Sequence, residues 1–294
     1  MADADMADGP SRLSRRAFML MAASLSSCTA AAPLASVKTP APPASVKTPE
    51  NPNYRTPQLD RSIPRNPDMP LRRDFPSDVG ITFTRVPVSG NYIALTFDDG
   101  PHPQNTPRLL DILRARNVKA TFYVIGRSVD LYPQVVRRTV AEGHELGNHS
   151  HTHRLLSKLG DTELRSEMKR CRDAVSNAAG VRMRTMRPPY GGLLQRQRQL
   201  VHDEFGYPTI LWSVDPLDWK RPGPSVVTSR ILSGTNAGAI VLAHDLHSQT
   251  VDAMPATIDG LLRRGYKFVT VSQLLAMKLE AAATPVSAAA ADTF

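Results

Sequence analysis

Short apolar runs alternate with amphipathic helical patterns from about residue 91 to residue 275, and this rhythm restricts the fold more than any other feature of the chain. Residues 92–97, 120–125, 144–147, 184–187, 209–214, 240–243 and 268–271 have the length and character of buried strands. Residues 106–116, 132–142, 162–179, 194–204, 226–233 and 254–264 carry the apolar period of helices. Several of these helices end at a glycine (Gly143, Gly180, Gly206, Gly265), where a left-handed C-cap is favoured. Seven strands alternating with helices predict an α/β domain with a parallel sheet, open or closed into a barrel.

The polar residues that interrupt this pattern fall repeatedly at one end of the strands. Asp98 and Asp99 end the first, His149 and His153 follow the third, and Arg187 ends the fourth. Asp215 and Asp218 follow the fifth, and His244 follows the sixth. Parallel α/β folds gather their sites at the carboxyl ends of the strands. Scattered structural polar groups would not choose the same end each time, so the placement points to an enzyme.

Within TFDDGP, residues 96–101, two carboxylates stand side by side at the end of a buried strand. They repel each other and contribute nothing there to folding, so their reason is chemical. Asp and His together suit a zinc-type cation. GNHSHTH, residues 147–153, offers three histidines at alternate positions. In an extended segment all three would face one way; in a helix His149 and His153 would share a face without His151. The residues alone leave both open. Three protein ligands leave a position for water, which Zn²⁺ brings to a pKa of about 7. A neighbouring carboxylate could take the water's proton, and a later histidine could protonate the leaving group. That set describes metal-assisted hydrolysis of an amide or ester.

TFDDGP, HSHTH, RPPYG, DPLDW and LAH, in this order and spacing, resemble the polysaccharide deacetylase family, carbohydrate esterase family four, over residues 91–275. The resemblance implies a distorted (β/α) barrel of seven or eight parallel strands with the active site at their carboxyl ends. It implies Asp98 as catalytic base and Asp99, His149 and His153 as ligands of a divalent metal, Zn²⁺ by default with Co²⁺ as a substitute. Arg187 would hold the catalytic carboxylate, and Asp215 would pair with that arginine. Tyr190 would offer its backbone N–H to the oxyanion, and His244 would be the general acid, oriented and charged by a carboxylate. Trp219, Leu242 and Pro189 would bind substrate, Leu242 under the acetyl methyl. The implied reaction removes N-acetyl groups from N-acetylglucosamine residues of peptidoglycan or a chitin-type oligosaccharide. An acetylxylan-type esterase and an inactive carbohydrate-binding protein are the alternatives. Asp215 has a second reading as a cap of the turn beside Pro216, and Asp218 reads first as such a cap. Trp212, Tyr123 and Phe122 read as packing, and His102 and His247 match no family role.

Outside this region, Arg15 and Arg16 precede a short apolar run, too short to span a bilayer, in a stretch that resembles a twin-arginine export signal. Leu25 to Cys28 resembles a lipobox, so the expected organisation is a signal peptide over 1–27, a Pro-rich mobile tether over 28–75, a catalytic domain over 76–283 and a frayed tail over 284–294. Cys28 would carry the lipid that is the chain's membrane contact; the alternative is a plain secretory peptide cut near Ala32 or Ala35. With two cysteines in all there is no disulfide framework, and Cys171 reads as a small buried residue. The formal charge of +9 suits a polyanionic neighbour such as an envelope polymer. The Lys and Arg residues are scattered, without an RNA-type aromatic motif or basic helix, so nucleic acid is not expected as a partner.

Overall fold

The computed structural model describes residues 80–283, with side chains through residue 278. The export signal, Cys28, the Pro-rich segment and the tail lie outside the described residues. The elements run β1 (Thr82–Phe83), β2 (Tyr92–Asp98), α1 (Asn105–Ala115), β3 (Thr121–Val124), α2 (Gly126–Leu131), α3 (Pro133–Ala141), β4 (Glu145–Asn148), α4 (Asp161–Ala179) and α5 (Gln195–Phe205). They continue with β5 (Thr209–Ile210), α6 (Pro224–Gly234), β6 (Ile240–His244), α7 (Ser248–Arg263), β7 (Lys267–Phe268) and α8 (Val271–Ala283). None of the described helices is long and apolar enough to cross a membrane.

The sheet is parallel in the order β4-β3-β2-β6. Single bridges close it. Met186 joins Asn148 at the end of β4 to Thr209 in β5, and Val214 beyond β5 joins Val241 in β6. Two short strands complete the ring. β1 runs parallel to β5 while Arg85 bridges to Ala239, and β7 pairs with the start of β2. The result is a distorted barrel.

The pleat of β2 explains how the barrel is filled. Ile93, Leu95 and Phe97 face the helices and join the large apolar layer that includes Leu109, Leu113 and Met168. Ala94 faces inward among Tyr123, Ile210 and Ile240, and Thr96 and Asp98, on the same side, meet Arg187. In β6 the outer residues are Val241 and Ala243, while Ile240 lies inside. Leu242 and His244 share the face of Ile240 by the same alternation. The interior is therefore apolar at its base and polar toward the carboxyl ends of the strands.

Several sequence expectations change, among them the strand over 268–271, which is only Lys267–Phe268 before α8 begins at Val271. Residues 184–187 form no strand beyond the bridge at Met186, because Pro188 and Pro189 lack the N–H that would extend the ladder. The strand expected over 209–214 stops at Ile210, because the carbonyls of Ile210 and Leu211 accept from Arg187. The seventh helix begins at Ser248, ahead of the expected start at 254, and runs through Pro255, a residue that reads as a first-turn signal. Strand β1 and helices α2 and α8 were not anticipated. The four glycine stops all have positive φ, and Cys171 is fully buried.

Gly147 in β4 has no room for a side chain, since a Cβ there would sit 2.3 Å from the Tyr123 ring. Gly147→Ala is expected to cost about 1–3 kcal/mol through overpacking. Gly160, with nothing within 4 Å of its Cβ position, is the control. Urea denaturation should show a clearly lower midpoint for Gly147→Ala than for Gly160→Ala, where only the N-cap of α4 is weakened; equal midpoints would contradict the packing described.

Candidate active site

Asp98 is the last residue of β2 and points into the barrel, where it is 3% exposed. The pleat would send Asp99 the opposite way, but its backbone turns into the left-handed region, φ 73°. The turn brings the second carboxylate back beside the first. Gly100 follows because a Cβ there would come within 2.6 Å of both carboxylate oxygens of Asp245.

His149 and His153 come together by neither of the arrangements considered from sequence. The segment is a loop in which Ser150 and His153 have φ of 64° and 61°. The Ser150 N–H donates to Asn148 Oδ1, and the His153 N–H donates to Ser150 Oγ, at 2.9 and 3.0 Å. The two imidazole centroids end 5.1 Å apart. His151 points elsewhere: its ring approaches Asp130 on α2, and its N–H donates to Glu167.

Asp99, His149 and His153 offer one ligand atom each, all within 4.8 Å of one another. Asp99 Oδ1 is 3.4 Å from His149 Nε2 and 3.0 Å from His153 Nε2, yet it is buried with no hydrogen bond of acceptable geometry. His149 Nδ1 is engaged by the Arg187 carbonyl at 2.7 Å, which leaves Nε2 directed at Asp99. Burial works against ionisation of Asp99, but the two imidazoles outweigh it and hold its pKa far below the ordinary carboxylate range. Burial likewise opposes protonation of His149, and the Asp98 and Asp99 carboxylates reverse the balance, so its pKa is raised. Convergent nitrogen and oxygen donors with an orphaned buried carboxylate oxygen fit a divalent cation of the Zn²⁺ or Co²⁺ type.

Arg187 lies beneath this cluster with no exposure to solvent. Its Nη1 donates to Asp98 Oδ1 and to Thr96 Oγ1, each at 2.7 Å. Nε and Nη2 donate to the carbonyls of Ile210 and Leu211 at 3.2 and 2.9 Å. The guanidinium also covers the Tyr123 ring at 4.3 Å. Asp215 takes no part, which corrects the expected pairing. Its Oδ1 accepts the Leu217 N–H two residues on, as the turn-capping alternative required, and Arg187 already has a buried carboxylate in Asp98.

His244 is the register partner of Asp98 across β2 and β6. Asp218 is the carboxylate that orients it. Asp218 Oδ1 engages His244 Nδ1 at 2.8 Å, and Oδ2 accepts the His244 N–H at 2.8 Å and Thr250 Oγ1 at 2.7 Å. Burial would lower the His244 pKa, but the hydrogen bond and charge of Asp218, with Asp98 and Asp99 beyond, raise it to about 9. The Asp218 pKa is lowered despite burial, through His244 and Thr250. Sequence reasoning left Asp218 as a turn cap; the need of His244 for a carboxylate was the signal that would have found it.

Around the site, Tyr190 is 70% exposed with φ 59°, and its ring meets His153 edge-on at 4.8 Å. Pro189 is buried at the start of the turn that presents Tyr190. Leu242 is buried on β6, and Trp219 is half exposed next to Asp218. Asp245, unmarked by sequence reasoning, is fully buried and accepts from Thr106 Oγ1; burial first, then Asp99 and Asp98, raise its pKa to about 7. His102 caps α1, its Nδ1 accepting the Gln104 and Asn105 N–H groups. The His247 ring lies 6.3 Å from that of His244.

If Asp218 is the main support of the His244 charge, an NMR titration of the metal-free protein should put the His244 imidazole near pH 9. In Asp218→Asn the value should fall to the ordinary histidine range near 6.5 or below. A value that stays near 9 in the variant would contradict this assignment.

Comparison with known proteins gives a consistent result. The sequence model of the polysaccharide deacetylase family matches residues 85–210. A peptidoglycan-N-acetylglucosamine deacetylase of Listeria monocytogenes is 41% identical over 209 residues, which are 71% of this chain and 44% of that protein. The chain thus spans under half of that relative's length. A peptidoglycan-N-acetylglucosamine deacetylase of Bacillus cereus is 37% identical over 215 residues, covering 71% of this chain and 100% of that one. A crystal structure of a peptidoglycan N-acetylglucosamine deacetylase in complex with a naphthalenyl N-oxidanyl-benzamide superposes with TM-score 0.64 at 33% identity, over 66% of this chain and 92% of the other.

Proposed function

The chain belongs to the polysaccharide deacetylase family, and on that premise we propose that it hydrolyses N-acetyl groups of N-acetylglucosamine residues in an envelope or extracellular polysaccharide, releasing acetate. The observation that carries this reading is the facing of Asp98 and His244 across β2 and β6, directly beside the Asp99–His149–His153 cluster. A base and an acid beside one cation site are what amide hydrolysis requires.

A divalent cation held by Asp99, His149 and His153, Zn²⁺ in this reading, would supply Lewis-acid polarisation of the acetamide carbonyl and acidification of a water. Asp98 accepts the proton of the attacking water. Arg187, bound to its Oδ1, fixes the carboxylate, and Oδ2 is left facing the site. His244, charged through Asp218, donates a proton from Nε2 to the departing sugar nitrogen, because Nδ1 is occupied. The Tyr190 N–H supports the oxyanion, a contribution commonly worth about 3–4 kcal/mol per donor. Leu242 meets the acetyl methyl, and Trp219 offers a face to the sugar. Loss of the His244 proton should depress turnover above about pH 9.

This reading places the enzyme outside the cytoplasm, exported on the signal over 1–27 and anchored by lipid at Cys28. The resemblance to peptidoglycan deacetylases supports an envelope location. Acetate release should be measured on peptidoglycan, chitin oligosaccharides and acetylated xylan, with Zn²⁺ and with a chelator. Chelator-sensitive release from a glucosamine polymer is the expected result. Release from xylan alone would move the assignment to an esterase, and no release with metal bound would favour a binding protein.

A further inference from the structure

The 3-10 turn that follows Leu217 places three side chains in a row next to the site. Asp218 is buried on His244, and then Trp219, Lys220 and Arg221 are all exposed. The Lys220 ammonium lies 5.0 Å above the Trp219 ring. Neither Lys220 nor Arg221 makes an ion pair with any described residue. Several exposed cations elsewhere, Arg108, Arg154, Arg165 and Arg196, are each matched by a carboxylate; what sets Lys220 and Arg221 apart from those is the place of their turn beside Asp218 and His244.

The turn is also rigid. Leu217 and Arg221, which bracket it, both have φ of 54°, a conformation that a non-glycine residue keeps only where its surroundings enforce it. Asp218 is tied to His244 and Thr250, the Pro216 carbonyl accepts from Arg230, and the Gly223 N–H donates to Gln249. The Arg221 N–H donates to the carbonyl of Asp218 at 2.8 Å, and the Asp218 carboxylate holds His244, so Arg221 stands on the general-acid side of the site. The opposite side, around His153, carries Tyr190 instead. One side thus joins an aromatic face to two cations that no carboxylate among the described residues pairs.

We propose that Lys220 and Arg221 are specificity residues that select amino-sugar strands bearing carboxylates over neutral ones, with Trp219 taking the sugar face and the two cations the acidic substituent. This inference rests on the deacetylase reading and narrows its substrate class. The carboxylate has two sources, an acid carried on the sugar itself or one carried on an attached peptide. Both present the same anion to the turn.

The test uses the full chain loaded with Zn²⁺ and three substrates: peptide-bearing glycan strands, the same strands stripped of peptide by an amidase, and neutral chitin oligosaccharides. The double variant Lys220→Glu with Arg221→Glu should lose about tenfold in kcat/KM on carboxylate-bearing strands, through KM, with kcat held. The same variant should stay within about twofold of the parent on the neutral oligosaccharide, and Lys220→Arg should keep the parent's values. Added salt should weaken the parent on acidic strands and leave the variant almost unchanged. Loss confined to peptide-bearing strands assigns the peptide acid; loss on stripped strands as well assigns the acid on the sugar. Equal losses on all three substrates, or no loss on acidic ones, would overturn the proposal. Cosedimentation with the same strands in chelator reads binding without turnover. If no substrate is hydrolysed the deacetylase reading fails, while a difference between parent and variant in sedimentation still upholds the charge selection and its absence overturns it.

Discussion

A guanidinium without any exposure to water stands inside the barrel, and the groups that satisfy it are the groups that build the site. A buried charge costs several kcal/mol, on the order expected for desolvation, unless it is paired and hydrogen-bonded. Arg187 meets that demand with Asp98, Thr96 and the carbonyls of Ile210 and Leu211. Its own carbonyl holds His149. The same residue therefore fixes the carboxylate at the end of β2, terminates β5 and aims one imidazole of the cation cluster. The Tyr123 ring below the guanidinium occupies the space that Gly147 leaves open. Position at the site is thus inherited from the core.

Above this floor the site is assembled by strained loops. Seven non-glycine residues among those described have positive φ, and all but Asn117 lie in the loops around the site: Asp99, Ser150, His153, Tyr190, Leu217 and Arg221. Each such conformation costs on the order of 1–3 kcal/mol, so the barrel must supply the contacts that maintain it. Asp99 shows what the strain achieves. A strand can aim only alternate residues at one side, and two adjacent carboxylates reach the same point only if the backbone reverses its hand between them. Asp218 achieves the complementary task at the end of β6, holding His244 by ring and backbone together.

Much of this was legible in the chain, and the limits have physical reasons. The strands at 92–97, 120–125 and 240–243 were readable because apolar residues run through both faces of a covered parallel sheet. The segment at 184–187 was not, because whether an apolar stretch pairs depends on the prolines and the arginine that compete for its partners. Asp98, Asp99, His149, His153 and His244 could be marked from their positions at strand ends. Asp218 and Asp215 could not be told apart by position, since both follow the same strand within one turn; only the fold shows that Asp218 meets His244 and that Asp215 caps the turn. Asp245 carried no signal, because its significance lies in contact with Gly100 and Thr106, far away in sequence.

The central claim is a division of labour between two adjacent acids, and one paired measurement tests it most directly: the metal content and acetate release of Asp98→Asn. The account predicts that the variant retains about one equivalent of Zn²⁺ per chain, because Asp99, His149 and His153 are untouched. Its turnover should fall by about 10²–10⁴-fold, the range expected for loss of a general base. Retained turnover, or loss of the metal together with activity, would contradict it.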